Sequence, residues 1–160
     1  SDLWMSPENL NSMAAVACSA LCRLDSANSQ TYQQNLARFC RSNELLDDSL
    51  HRALKPLRHR SFIIHHPALG YLARRYGLRQ IAVEHDGKEP SAARIRQIIS
   101  RARAEGVTTV FISKEHTGRA ARQIAEAIGA RVVEINPLDY DVPRQLRLIT
   151  DALTQTAAPR

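Results

Sequence analysis

The sequence predicts an α/β protein: a four-stranded parallel sheet flanked by helices, preceded by a helix and a long backbone helix. Three observations predict it. Four short apolar runs recur after residue 60, each followed by a segment of helical period, and crossovers of that length join parallel strands through right-handed connections. Before them, one uninterrupted helical repeat spans nearly thirty residues. The totals, 160 residues with 44% apolar and 24% charged side chains, suit a single folded domain with an appended helical arm.

The elements follow in order. Ser6-Pro7-Glu8 reads as an N-cap, a first-turn proline and an early carboxylate, and Leu10, Met13, Ala14, Ala17, Cys18 and Leu21 carry a helix to about Leu24. The polar break "LDSANSQ" starts the second helix. There Tyr32, Leu36, Phe39, Asn43, Leu46, Leu50, Ala53 and Leu57 alternate steps of four and three, with no glycine or proline before Pro56. At ~1.5 Å per residue such a helix is roughly 40 Å long, longer than a small α/β domain is wide, so it projects or spans something. Strands are expected at 62–65, 80–84, 108–113 and 131–135, with helices at 67–76, 91–105, 118–128 and 143–154. The organisation read from this is a first segment and helix over 1–27, the long helix over 28–58, an α/β lobe over 59–156 and a tail at 157–160, with fraying from residue 156.

Charge and motifs exclude several functions. The net charge is +6, but the arginines are dispersed over polar helix faces and few aromatic residues accompany them, so no nucleic-acid surface is expected. No run approaches the ~18 apolar residues of a membrane span. The opening from Ser1 does not read as a signal peptide, which is compatible with a leader removed ahead of it. Cys18, Cys22 and Cys40 lack the spacing of a structural zinc site, and Cys18 and Cys22 read as small core residues on one helix face. There is no phosphate-binding glycine loop, and Thr117-Gly118 is only a weak anion hint. Ser113 near His116 lacks a nucleophile elbow, so no enzyme is expected.

In an open parallel sheet, ligands bind beyond the carboxyl ends of the strands. The first strand delivers His65 and His66 there; the second delivers Glu84, His85 and Asp86; the third, Ser113, Glu115 and His116; the fourth, Asn136 and Asp139. Four of the six histidines thus fall on one edge. Imidazoles and carboxylates from separate loops are the donors of zinc and related divalent ions, which makes this edge a candidate metal site.

These residues sit in stretches that resemble the metal-binding solute-binding proteins of bacterial zinc and manganese ABC importers. "LWMSPEN" is similar to the family's H-x-W-L-S-P-E-N segment, and "LDSANSQTYQQNLARF" to the start of its long helix. "FIIHHPALGYLARRYGL" matches its H-x-A-x-G-Y stretch, "GKEPSAARIRQII" its E-P-S signature and "ARVVEINPLDYD" its D-P-L segment. The resemblance implies two α/β lobes joined by a rigid helix, with metal in the cleft. Residues 29–57 would then be that helix, 60–156 the carboxyl-terminal lobe, and the amino-terminal lobe would lie outside these residues. It implies further that His66 is a metal ligand. The family's histidine falls at Asp2 and its carboxylate at Asn136, a set too poor in strong donors for tight binding, for which His65, His85, His116 and Asp139 are candidate substitutes.

The function implied is a receptor that captures zinc or manganese outside the cytoplasm, periplasmic or extracytoplasmic, and delivers it to an ABC permease in the membrane. The alternative is a non-metal interaction module derived from that family with a degenerate metal site. A third reading, an α/β enzyme using His66 with Ser113 or Glu84, has no substrate to nominate. The seam of Tyr32, Phe39, Leu46 and Leu50, partly uncovered without a second lobe, predicts a homodimer through the long helix.

Overall fold

The structure, a computed structural model, describes residues 2–155; the tail expected at 157–160 and the fraying expected from residue 156 lie outside the described residues. Helix α1 (Pro7–Leu24) and the long α2 (Ser29–Leu54) come first, linked by a 3-10 turn at Ser26–Asn28. Then follow β1 (Ser61–Ile64), α3 (Gly70–Arg75), β2 (Arg79–Ala82), α4 (Ala92–Ala104), β3 (Thr109–Ser113), α5 (Arg119–Ile128), β4 (Arg131–Ile135) and α6 (Val142–Thr154). The four strands make one parallel sheet in the order β2-β1-β3-β4.

Helices cover both faces of the sheet, and the alternation of side chains along each strand decides which core each residue joins. Phe62 and Ile64 of β1 and Phe111 of β3 face α2, α3 and α6, meeting Leu46, Leu50, Leu54, Leu72, Leu146 and Ile149. Ile63, Val110 and Ile112 face the other way, onto Ile98 and Ala102 of α4 and Ala121 and Ile124 of α5. The rings of Phe62 and Phe111 meet edge to face at 5.5 Å in the first core.

Local chemistry sets the helix ends. Pro7 occupies the first turn of α1 after an extended Ser6, as expected, but the Ser6 hydroxyl makes no capping bond. The E-P-S signature has a structural role: Ser91 caps α4 by accepting from the Arg94 amide at 3.2 Å. Asp141 does the same for α6 through the Arg144 amide at 3.1 Å. In Thr117-Gly118, weakly suggestive of an anion site, Gly118 is the N-cap of α5 at φ +58, and a Cβ there would come within 2.8 Å of Ile112.

Several expected bounds shift for physical reasons. Helix α2 stops at Leu54 instead of reaching residue 57, because Pro56 cannot donate into another turn. Arg60 takes over the freed carbonyls, its Nη1 donating to Leu54 O and Leu57 O, its Nη2 to Tyr76 O and its Nε to Gly77 O. The buried seam of α2 is Asn43, Leu46, Leu50 and Leu54; Ala53, expected on it, is exposed. Helix α3 starts at Gly70 and not at residue 67, since residues 66–69 form a turn in which Ala68 N bonds His66 O at 2.7 Å and Leu69 N bonds Gln80 Oε1 at 2.8 Å.

Candidate metal centre

The strand order places the site. The chain passes from β1 to β2 in one direction and from β3 to β4 in the other, so the order reverses between β1 and β3. At such a switch point the loops diverge and leave a crevice beyond the carboxyl ends. His65 and His66 leave β1 on one side of it, and His116 lies in the loop after β3 on the other.

Backbone bonds carry the ladder one residue past β1 and fix the histidines. His65 N donates to Phe111 O at 3.0 Å, and Glu84 N donates to His65 O at 3.0 Å. His65 is therefore held from both neighbouring strands, and its side chain is only 6% exposed. Its ring lies 5.4 Å from that of His116, and the His66 ring lies 6.2 Å from it. His66 points outward, 43% exposed, and its Nδ1 lies 3.3 Å from Glu84 Oε1. The second carboxylate oxygen, Oε2, stands 3.8 Å from His65 Nε2. His65 Nδ1 is buried without a hydrogen-bond partner.

Two more of the expected residues reach this neighbourhood through the opening segment. Asp2 N donates to Ala68 O at 3.0 Å, two residues beyond His66, and Trp4 Nε1 donates to Pro137 O at 2.7 Å, next to Asn136. The segment thus straps the loop after β1, which carries His66, to the loop after β4, which carries Asn136. The Asn136 side-chain oxygen accepts from Leu138 N at 3.2 Å, while Asn136 N donates to Gln145 Oε1 at 3.0 Å.

His85 and Asp139 are placed differently. His85 pairs through its backbone with Lys88 across a tight Asp86-Gly87 turn, both central residues having positive φ, and its side chain stands 90% exposed beside Asp86. Asp139 spends both oxygens at the start of α6, Oδ1 accepting from Asp141 N and Oδ2 from Gln145 Nε2. Neither joins the histidines. Among the described residues no three His, Cys, Asp or Glu side chains stand close enough together to hold a metal ion by themselves.

Glu84, expected at a strand end and paired with His66 only in the enzyme reading, is the carboxylate in contact with His66. The signal that finds it is strand adjacency: Glu84 lies two residues past β2, the strand that pairs with β1, and its amide still bonds His65 O, a contact visible only once the sheet is assembled.

Known proteins share this fold. Residues 1–155 match the family model of ZnuA, the zinc-uptake complex component A, periplasmic. A putative metal-binding protein of Treponema pallidum is 28% identical over 139 residues, which are 86% of this chain and 44% of that protein. The high-affinity zinc uptake system protein ZnuA of Bacillus subtilis is 26% identical over 139 residues, again 86% of this chain and 44% of the relative. A crystal structure of ZnuA superposes with a TM-score of 0.92 at 35% identity, over 95% of this chain and 60% of that one. The chain therefore spans less than half the length of these two curated relatives. It belongs to the ZnuA family, whose model describes the periplasmic component A of the zinc-uptake complex.

Proposed function

We propose that this chain carries the carboxyl-terminal part of a metal-capture receptor, with zinc as its cargo and His66 as the ligand at the centre of its half of the site. The observation that carries the reading is the placement of His66: half-exposed, at the switch-point crevice, within the stretch that matches the family's ligand motif. Residues 28–58 are the backbone helix on this reading, 59–156 the carboxyl-terminal lobe and 1–27 the segment and helix that lead into them. Asp2 and Asn136 supply oxygen donors from the loops that carry them, His116 is the further imidazole near His66, its ring 6.2 Å away, while the buried His65 stands behind, and the last ligand comes from an amino-terminal lobe. His85 and Asp139 are held away from this set in the present arrangement.

Zinc is favoured over manganese because the relatives are named for zinc and because the nitrogen donors gathered here suit it better than an all-oxygen set. The receptor works outside the cytoplasm, in the periplasm or its equivalent, and delivers the ion to an ABC permease in the membrane. Among the described residues no helix is long and apolar enough to cross a membrane.

A second reading has its own support. The side chains of Asn136 and Asp139 are engaged in local hydrogen bonds, which favours an interaction module with a degenerate metal site. The thermal midpoint of metal-stripped protein with and without excess Zn²⁺ or Mn²⁺ separates the two, because an ion that binds the native state alone raises it. The receptor reading expects a rise with Zn²⁺ that disappears in His66→Ala. No rise in the wild type gives the interaction module the lead.

A further inference from the structure

Glu84 has no role in that reading, yet its environment is unusual for a carboxylate. Its side chain is only 13% exposed, and among the described residues its ion-pair partners are two histidines, with no arginine or lysine. Its backbone is tied to β1 through His65 O, and the Asp86-Gly87 turn folds over it, bringing the Gly87 backbone to where a Cβ would lie 4.0 Å from Oε1. A buried charge placed this carefully needs a partner that the fold holds in position.

We infer that Glu84 is a positioning residue for His66: its Oε1 accepts the Nδ1 proton, which leaves the Nε2 lone pair free and aimed for a metal ion. The 3.3 Å separation of Nδ1 and Oε1 is the contact this requires. A metal-binding histidine characteristically gives its other ring N–H to a carboxylate, which sets the tautomer and the ring orientation and raises the basicity of the ligating nitrogen. An unconstrained neutral histidine side chain prefers the proton on Nε2, the wrong nitrogen for this purpose, so the carboxylate removes a cost that binding would otherwise carry. The second oxygen stands 3.8 Å from His65 Nε2, beyond hydrogen-bond reach, so the buried His65 ring backs the carboxylate by packing alone. His66, Glu84 and His65 then form a preset arm in which only the outermost nitrogen is offered to a ligand. The inference rests on His66 being a ligand, as proposed above.

The test reads the proton directly. Long-range ¹H–¹⁵N spectra of the imidazoles, taken on metal-free protein at pH 8, are expected to show His66 protonated on Nδ1, and Glu84→Ala is expected to return it to the Nε2-protonated form. Zinc affinity by competition with a chromophoric chelator should fall about 10- to 100-fold in Glu84→Ala. Glu84→Gln, which keeps the shape and one acceptor oxygen, should retain the Nδ1 proton and lose less affinity, and it provides the check if Glu84→Ala does not fold. A wild-type His66 protonated on Nε2, or zinc affinity unchanged in Glu84→Ala, overturns the assignment. A wild type with the Nδ1 proton that binds no zinc supports the assignment and overturns the receptor reading instead.

Discussion

The two halves of α2 share one apolar repeat and live in different surroundings. In its carboxyl half Leu46, Leu50 and Leu54 are buried against α3, α6 and the sheet, whereas in its amino half Leu36 and Phe39 line an open groove shared with α1, and Phe39 remains 41% exposed. The same contrast runs through α1, whose Met13, Val16 and Leu21 are all exposed while Cys18 is buried. A regular apolar stripe specifies which face of a helix seeks cover, but the neighbours decide how much of it is covered. The carboxyl half belongs to a closed core. The amino half forms one side of a hairpin with an open apolar groove, lined by Leu21, Leu36 and Phe39.

The largest effect should come from the closed half. Leu50→Ala removes a fully packed side chain where the helices leave no room to collapse, and is expected to cost about 3 kcal/mol in denaturant unfolding. A loss below about 1 kcal/mol would mean that the two halves of α2 are alike after all.

An intermediate effect lies at the polar junction that ties the hairpin to α3. Asp47 of α2 accepts from Arg75 Nε at 2.8 Å and Nη2 at 2.7 Å and from the Tyr76 hydroxyl at 2.7 Å, while Glu8 of α1 reaches Arg75 Nη1 at 2.5 Å. The Arg75 hydrogen bonds hold the Asp47 carboxyl below the usual carboxylate range, and burial together with Asp47 pushes the Tyr76 hydroxyl up. Because the folded carboxyl binds its proton less readily than the unfolded one, this stabilisation is present at neutral pH and is lost as pH falls below about 4 through the depressed titration. Arg75→Leu should therefore cost about 2 kcal/mol at pH 7. The gap between variant and wild type should narrow in urea titrations toward pH 3, and a gap that stays constant with pH would remove Asp47 as its source.

The smallest effect on folding belongs to the open half. Phe39→Ser is expected to change stability by no more than about 0.5 kcal/mol. Its readout is association: if the uncovered stripe drives the proposed homodimer, sedimentation of the wild type should show a concentration-dependent dimer that the variant lacks. A wild type that stays monomeric at high concentration ends the dimer proposal and leaves the groove to another occupant.

The candidate site divides in a similar way between what could be read along the chain and what could not. His66 was recognisable twice over, from its place after an apolar run and from the surrounding H-x-A-x-G-Y pattern. His65 and His116 were placed on the same edge by the same reasoning, and the sheet brings their rings to 5.4 Å. His85 belongs with them as a residue at the end of the second expected strand, but a two-residue turn reverses the chain at Asp86-Gly87 and carries its side chain into solvent. Glu84, one residue earlier, stays in the ladder and faces the histidines. One position separates a buried partner from an exposed bystander, because strand pairing ends between them.

The sequence by itself determined the element types, their order and the parallel sheet. Those depend on local hydrophobic period, proline placement and the length of each crossover, all of which are short-range properties of the chain. It also marked His66 as the residue to watch. Only the tertiary structure decided that β1 lies between β2 and β3, that Glu84 therefore meets His66, and that half of α2 is covered while half is not. Those outcomes depend on contacts between residues 18 or more positions apart, which no local pattern encodes and only the closed packing of the sheet and its helices can select.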